Sequence, residues 1–80
     1  MVLGMETILN KLNSKYANSE ITRIANTGDI AGAAEMAAKM AMWGLWIELR
    51  NAAGLPSDDA ARNEWLAADK ARRASKFAKR

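Results

Sequence analysis

Apolar residues recur at helical spacing along most of this chain. Leu3, Met5, Ile8, Leu9, Leu12 and Tyr16 fall on one face, with Glu6, Asn10, Lys11, Asn13 and Lys15 largely opposite, the pattern of a surface helix docked by one stripe. Asn18 or Ser19 is placed to cap a short second helix through Ile21, Ile24 and Ala25, which stops at Asn26-Thr27-Gly28, where glycine supplies a positive φ. Thr27 or Asp29 caps a third helix predicted from Asp29 to Ala53, closed by Gly54 and barred from continuing by Pro56. Ser57 or Asp58 caps a fourth, with Asp58 and Asp59 in its first turn and Lys76, Lys79 and Arg80 in its last turns, each charge matched to the helix dipole. The four-residue loop Gly54-Leu55-Pro56-Ser57 implies an antiparallel hairpin of the third and fourth helices. The expected fold is an all-α, small helical bundle: a long helix-three/helix-four hairpin preceded by one or two shorter helices.

The third helix is the unusual one. Its polar residues Glu35, Lys39 and Arg50 make only a narrow stripe, beside Gly32. Ala34, Ala37, Ala38, Ala41, Gly44 and Ala52 form a small-residue face, Met36, Met40, Trp43 and Ile47 a bulky one, and Leu45 and Leu49 flank the other edge. A helix apolar nearly all round belongs in the middle of something, and 80 residues barely surround one so long. Self-association, with a dimer favoured, is the simplest completion. Met42 and Trp46 interrupt the polar stripe at the spacing 35, 39, 42, 46, 50. Tryptophan and methionine are favoured at interaction sites, so Lys39, Met42, Trp43, Trp46 and Arg50 are the candidate protein-binding residues. The alternative is that helix one or a second subunit covers the stripe and Trp46 is core; the surface around Arg62 and Trp65 is then the next candidate.

Composition narrows the functions. Eighty residues make a single domain, 1–80, and although half of them are apolar, many are alanine and contribute little buried area. The chain has no cysteine and no histidine, which removes disulfides, thiolate metal sites and the usual neutral-pH proton shuttle, so neither metal nor cofactor is expected. The acids Glu6, Glu20, Asp29, Glu35, Glu48, Asp58, Asp59, Glu64 and Asp69 form no recognisable catalytic pattern, and no phosphate-binding loop or nucleophile elbow occurs. An enzyme is not expected. The N-terminus lacks a basic region followed by an apolar block, and the most apolar stretch, Ile30 to Ile47, is broken by Glu35 and Lys39. A cytoplasmic protein without a membrane span fits these features best.

The net charge of +3 is unevenly distributed: residues 1–69 carry six basic and nine acidic side chains, residues 70–80 six basic and no acidic ones. Lys70, Arg72, Arg73, Lys76, Lys79 and Arg80 are candidate contacts to nucleic acid or to an acidic partner, although they scatter around the helix and a basic helix end also satisfies the dipole. The bend around Gly28-Asp29 resembles one tetratricopeptide unit, but over less than half the chain, and one such unit cannot make the repeat fold. Read as a helix-turn-helix, the same bend presents alanine and methionine where base-reading side chains belong. The expected function is a non-enzymatic, self-associating protein-binding module of adaptor or inhibitor type. A nucleic-acid-associated protein using the basic C-terminal helix, or a structural assembly subunit, is the alternative.

Overall fold

The computed structural model describes residues 3–78, with side-chain surroundings for residues 6–76. Among them are five helices and no strand: α1 (Leu3–Lys15), α2 (Glu20–Asn26), α3 (Ile30–Lys39), α4 (Trp43–Ala52) and α5 (Asp59–Ala78). The small all-α bundle expected from the periodicity is the fold. Its N-terminal boundaries follow from side-chain capping: Ser19 Oγ accepts from the Thr22 amide, Asp29 Oδ1 from Gly32 and Asp58 Oδ1 from Ala61. Each takes up one of the amide donors that a helix start leaves unpaired.

One boundary departs from the periodicity. The stretch expected to run as a single helix from Asp29 to Ala53 is cut at residues 40–42 into α3 and α4, and these two halves pack on each other more extensively than any other pair of helices. The hairpin is therefore made by α3 and α4, inside the stretch expected to be one helix, and not across the Gly54–Ser57 loop as expected: α5 packs little on either arm and extends beyond them. The cut is a helix stop closed by two hydrogen bonds, from the Met42 amide to Ala37 O at 2.9 Å and from the Ala41 amide to Ala38 O at 3.0 Å. The same motif ends α4, where Leu55 donates to Arg50 O at 2.8 Å and Gly54 to Asn51 O at 3.1 Å. This motif puts one residue in the left-handed region, normally glycine because a Cβ crowds there. Gly28 (φ +96°) and Gly54 (φ +75°) fill that place after α2 and α4, but after α3 it is Ala41, with φ +60°.

Folding the stretch on itself satisfies within one chain the apolar surroundings that its composition demands. Ala33, Ala34, Ala37 and Ala38 are buried along α3, and their small size lets α2 and α4 approach closely. Ala41 and Gly44, grouped with them in the sequence, are exposed. Trp46 is the largest fully buried side chain, and with Leu12, Ile21 and Leu49 it supplies the bulk that the alanines lack. Helix α1 lies against α2 and α4, burying Ile8 and Leu12 and half-burying Leu9 and Tyr16, and Lys11 Nζ pairs with Glu48 at 2.7 Å across the α1–α4 contact. Leu3 and Met5, assigned to the same stripe, lie outside the described side chains. Thr22, the buried polar residue, donates to Tyr16 O at 2.6 Å and so ties the α1–α2 turn to α2.

α5 sits differently. It is 20 residues long, about 30 Å at 1.5 Å per residue, and it meets the body only through its first turns. Ala61 is buried and Trp65 half-buried, whereas every side chain from Lys70 to Lys76 is exposed. The line of the helix that starts with Ala61 and Trp65 continues with Arg72 and Lys76, so its apolar part ends where the body ends and the helix overhangs. No helix among the described residues is long and apolar enough to cross a membrane.

Candidate interaction site

The three tryptophans form a chain leading from the core to α5. Trp43, in the first turn of α4, meets Trp46 edge-on (centroids 5.6 Å apart, planes at 79°) and Trp65 of α5 in the same manner (5.8 Å, 77°). Edge-to-face geometry of this kind places the electropositive rim of one ring against the electronegative face of the next. Trp65 Nε1 donates to both carboxylate oxygens of Glu35 on α3, each at 3.0 Å. α5 is thus attached to the body by one edge-on ring, one hydrogen-bonded carboxylate, the buried methyl of Ala61 and the Arg62 guanidinium over the Trp43 ring.

Each tryptophan is also faced by an arginine. The guanidinium carbon of Arg50 lies 5.3 Å from the Trp46 ring centroid, that of Arg62 5.3 Å from Trp43 and that of Arg72 5.9 Å from Trp65. A guanidinium held against a ring keeps its charge and its edge donors, and those donors match a carboxylate or phosphate bidentately. Arg50 is further fixed by donating Nε to Pro56 O at 2.8 Å, which closes the α4–α5 loop. Arg62 and Arg72 are exposed.

The structure separates the residues proposed from the α3–α4 stripe. Trp46 is fully buried, so its face belongs to the core under α1 and α3 and offers no contact area. Met42, the residue preceding α4, and Trp43 are half-buried and pack against that core; Arg50 is engaged with the loop. Lys39 is exposed at the end of α3. The five therefore do not make one surface: Trp46 is the buried end of the tryptophan chain, and of the five Trp43 alone links that end to α5. What lies next to it is Arg62 and Trp65, together with Glu35, whose part as the Trp65 acceptor was signalled in the sequence only by its being an acid on an otherwise apolar helix.

The basic end is more ordered than a scatter. At about 100° per residue, Lys70, Arg72, Arg73 and Lys76 of α5 occupy one half of the helix circumference, and Ala67, Ala68, Ala71, Ala74 and Ser75 the other. Arg72 and Lys76 stand on the line of Ala61 and Trp65, so one edge of the cationic half is on the side from which the body projects, while Arg73 stands further round and Lys70 opposite. Asp69, one turn earlier, accepts from Arg72 and from Arg73 Nε, the latter at 3.0 Å, and holds both guanidiniums close to the helix. Lys79 and Arg80 lie outside the described residues. The result is a corner: a cationic helix half along one side, the Trp43–Trp65 edge with Arg62 at its base. Comparison with protein-family models, with curated proteins and with solved structures finds no match for this chain.

Proposed function

We propose that this chain is a non-enzymatic helical protein-binding module, an adaptor or inhibitor-type accessory protein, that holds an acidic segment of another protein in the corner between the α5 overhang and the tryptophan edge. The observation that supports it is the exposed cationic half of α5, with Arg72 and Arg73 positioned by Asp69, running directly from the arginine-faced tryptophans. Paired guanidiniums beside aromatic rings are the residue types that concentrate binding energy in protein interfaces. The Arg72→Glu/Arg73→Glu/Lys76→Glu variant tests it against a fluorescein-labelled acidic helical peptide by anisotropy. Binding by the wild type and its loss in the variant, with an unchanged circular dichroism spectrum, is the expected result.

A nucleic-acid-associated protein is the second reading, favoured by the breadth of the cationic half, which suits phosphates on two sides of a helix. The same titration with a labelled DNA duplex decides between them. Phosphate binding would show a slope of log affinity against log salt of roughly −0.9 per neutralised phosphate, at every sequence tried. A duplex bound more tightly than the acidic peptide at 0.15 M salt, roughly physiological ionic strength, would overturn the protein-binding reading.

A further inference from the structure

Of the three left-handed helix stops among the described residues, two carry glycine and one carries alanine: Ala41, between α3 and α4. The joint has little else to hold it. Met42, at the N-cap of α4, makes no capping hydrogen bond, unlike Ser19 and Asp29 at the starts of α2 and α3. Its residues Met40, Ala41 and Met42 are all good helix formers, and the apolar pattern reads through them without a break. Locally the sequence prefers a straight helix; the bend persists because it lets α3 and α4 bury each other.

A second copy satisfies both preferences at once, and we infer that this chain forms a domain-swapped dimer by straightening at Ala41. In the straightened chain residues 30–52 make one helix of about 35 Å, and α4 packs on the α3 and α1 of the other copy instead of its own. Every buried contact of α4 is kept in trans, so the two states differ mainly in the joint and in the entropy of pairing, the condition under which swapping is favoured. Straightening also brings together apolar surface that the bent form leaves in water. Met40 (53% exposed) and Ile47 (39%) lie at and just beyond the joint, and two straight helices crossing there cover them. This goes beyond the α5 reading above and bears on the self-association expected from the sequence, with a second copy of the chain as the partner.

The test uses opposed substitutions at Ala41, whose side chain is exposed. Ala41→Gly relieves the left-handed bend and weakens the straight helix, together roughly 30-fold per hinge and roughly a thousandfold for the two hinges of a dimer. Ala41→Ile acts in the other direction, because a β-branched residue is excluded from the left-handed region far more strongly than from a helix. Sedimentation equilibrium should show dimer in the wild type at high concentration, less in Ala41→Gly and more in Ala41→Ile. Since the chain has no cysteine, spin labels at Ala31→Cys and Asn51→Cys report the joint directly. Diluted into unlabelled protein, they should read about 30 Å within one chain of the dimer, the length of 20 helical residues, and less in the monomer.

A wild type monomeric at millimolar concentration overturns the inference. So does a dimer whose intrachain distance equals that of the monomer, or a pair of variants that shift the equilibrium the same way. Peptide binding by α5 is read separately in Ala41→Gly, so a failed hinge and a failed α5 site are distinguishable.

Discussion

Removing the Trp65 indole should release α5 while leaving the rest of the bundle folded. The attachment consists of the Trp65 hydrogen bond to Glu35 at 3.0 Å, its edge-on contact with Trp43 at 5.8 Å, the Arg62 guanidinium 5.3 Å from the Trp43 centroid and the buried Ala61. Trp65→Phe keeps a ring against Trp43 but deletes the donor. A hydrogen bond to a charged group contributes about 1.5–3 kcal/mol, and the half-buried position puts this one at the low end. Trp65→Ala also loses the aromatic pair, about 1 kcal/mol, and most of the apolar burial. Because the attachment is confined to one end of α5, its loss should appear as local opening and not as global unfolding. Native-state hydrogen exchange resolves this. In Trp65→Phe the amides of the first half of α5 should lose about tenfold in protection, the equivalent of about 1.4 kcal/mol, and in Trp65→Ala considerably more. Amides of α2, α3 and α4 should keep their wild-type protection in both. Unchanged protection in α5, or an equal loss throughout the bundle, would refute the attachment as described; Glu35→Ala should reproduce the Trp65→Phe result.

Three further outcomes follow from the core and the helix ends. Trp46→Ala should unfold the protein or cost about 3–5 kcal/mol in a denaturant titration, because it empties the largest fully buried side chain, whereas Trp46→Phe should cost far less. The buried Trp46 Nε1 has no hydrogen-bond partner, so deleting it removes about 1–3 kcal/mol of desolvation penalty against the lost volume. Thr22→Val should destabilise by about 1 kcal/mol, since it removes the hydroxyl that Tyr16 O accepts from at 2.6 Å while that oxygen keeps its bond from the Ser19 amide. Gly44→Ala should stabilise by about 0.5–1 kcal/mol, read as a raised thermal midpoint, because an added Cβ meets nothing within 4 Å and the residue is already helical.

The periodicity of Leu3 to Tyr16, the caps Ser19, Asp29 and Asp58, each as one of two candidates, and the stops Gly28 and Gly54 were legible, because each acts through its own or adjacent turns. Ala41 was not. Nothing local distinguishes an alanine inside a helix from an alanine ending one; the choice falls to the apolar surface that α3 and α4 bury against each other, between residues well apart in sequence. The same cause hid the fate of Trp46. On a continuous helix it lies in the polar stripe, but α4 turns relative to α3 at the joint, and its face then falls against α1 and the α3 alanines. The site residues divide likewise: the basic content of residues 70–80 is a property of the sequence, whereas the pairing of Glu35 with Trp65, 30 residues apart, exists only once α3 and α5 are adjacent. Sequence by itself determined the helical class, most helix ends and the charge asymmetry, since these depend on spacing and on one-turn interactions. Tertiary structure decided where the central helix breaks, which tryptophan is core and where α5 leaves the body, because each depends on which distant surfaces exclude water from one another.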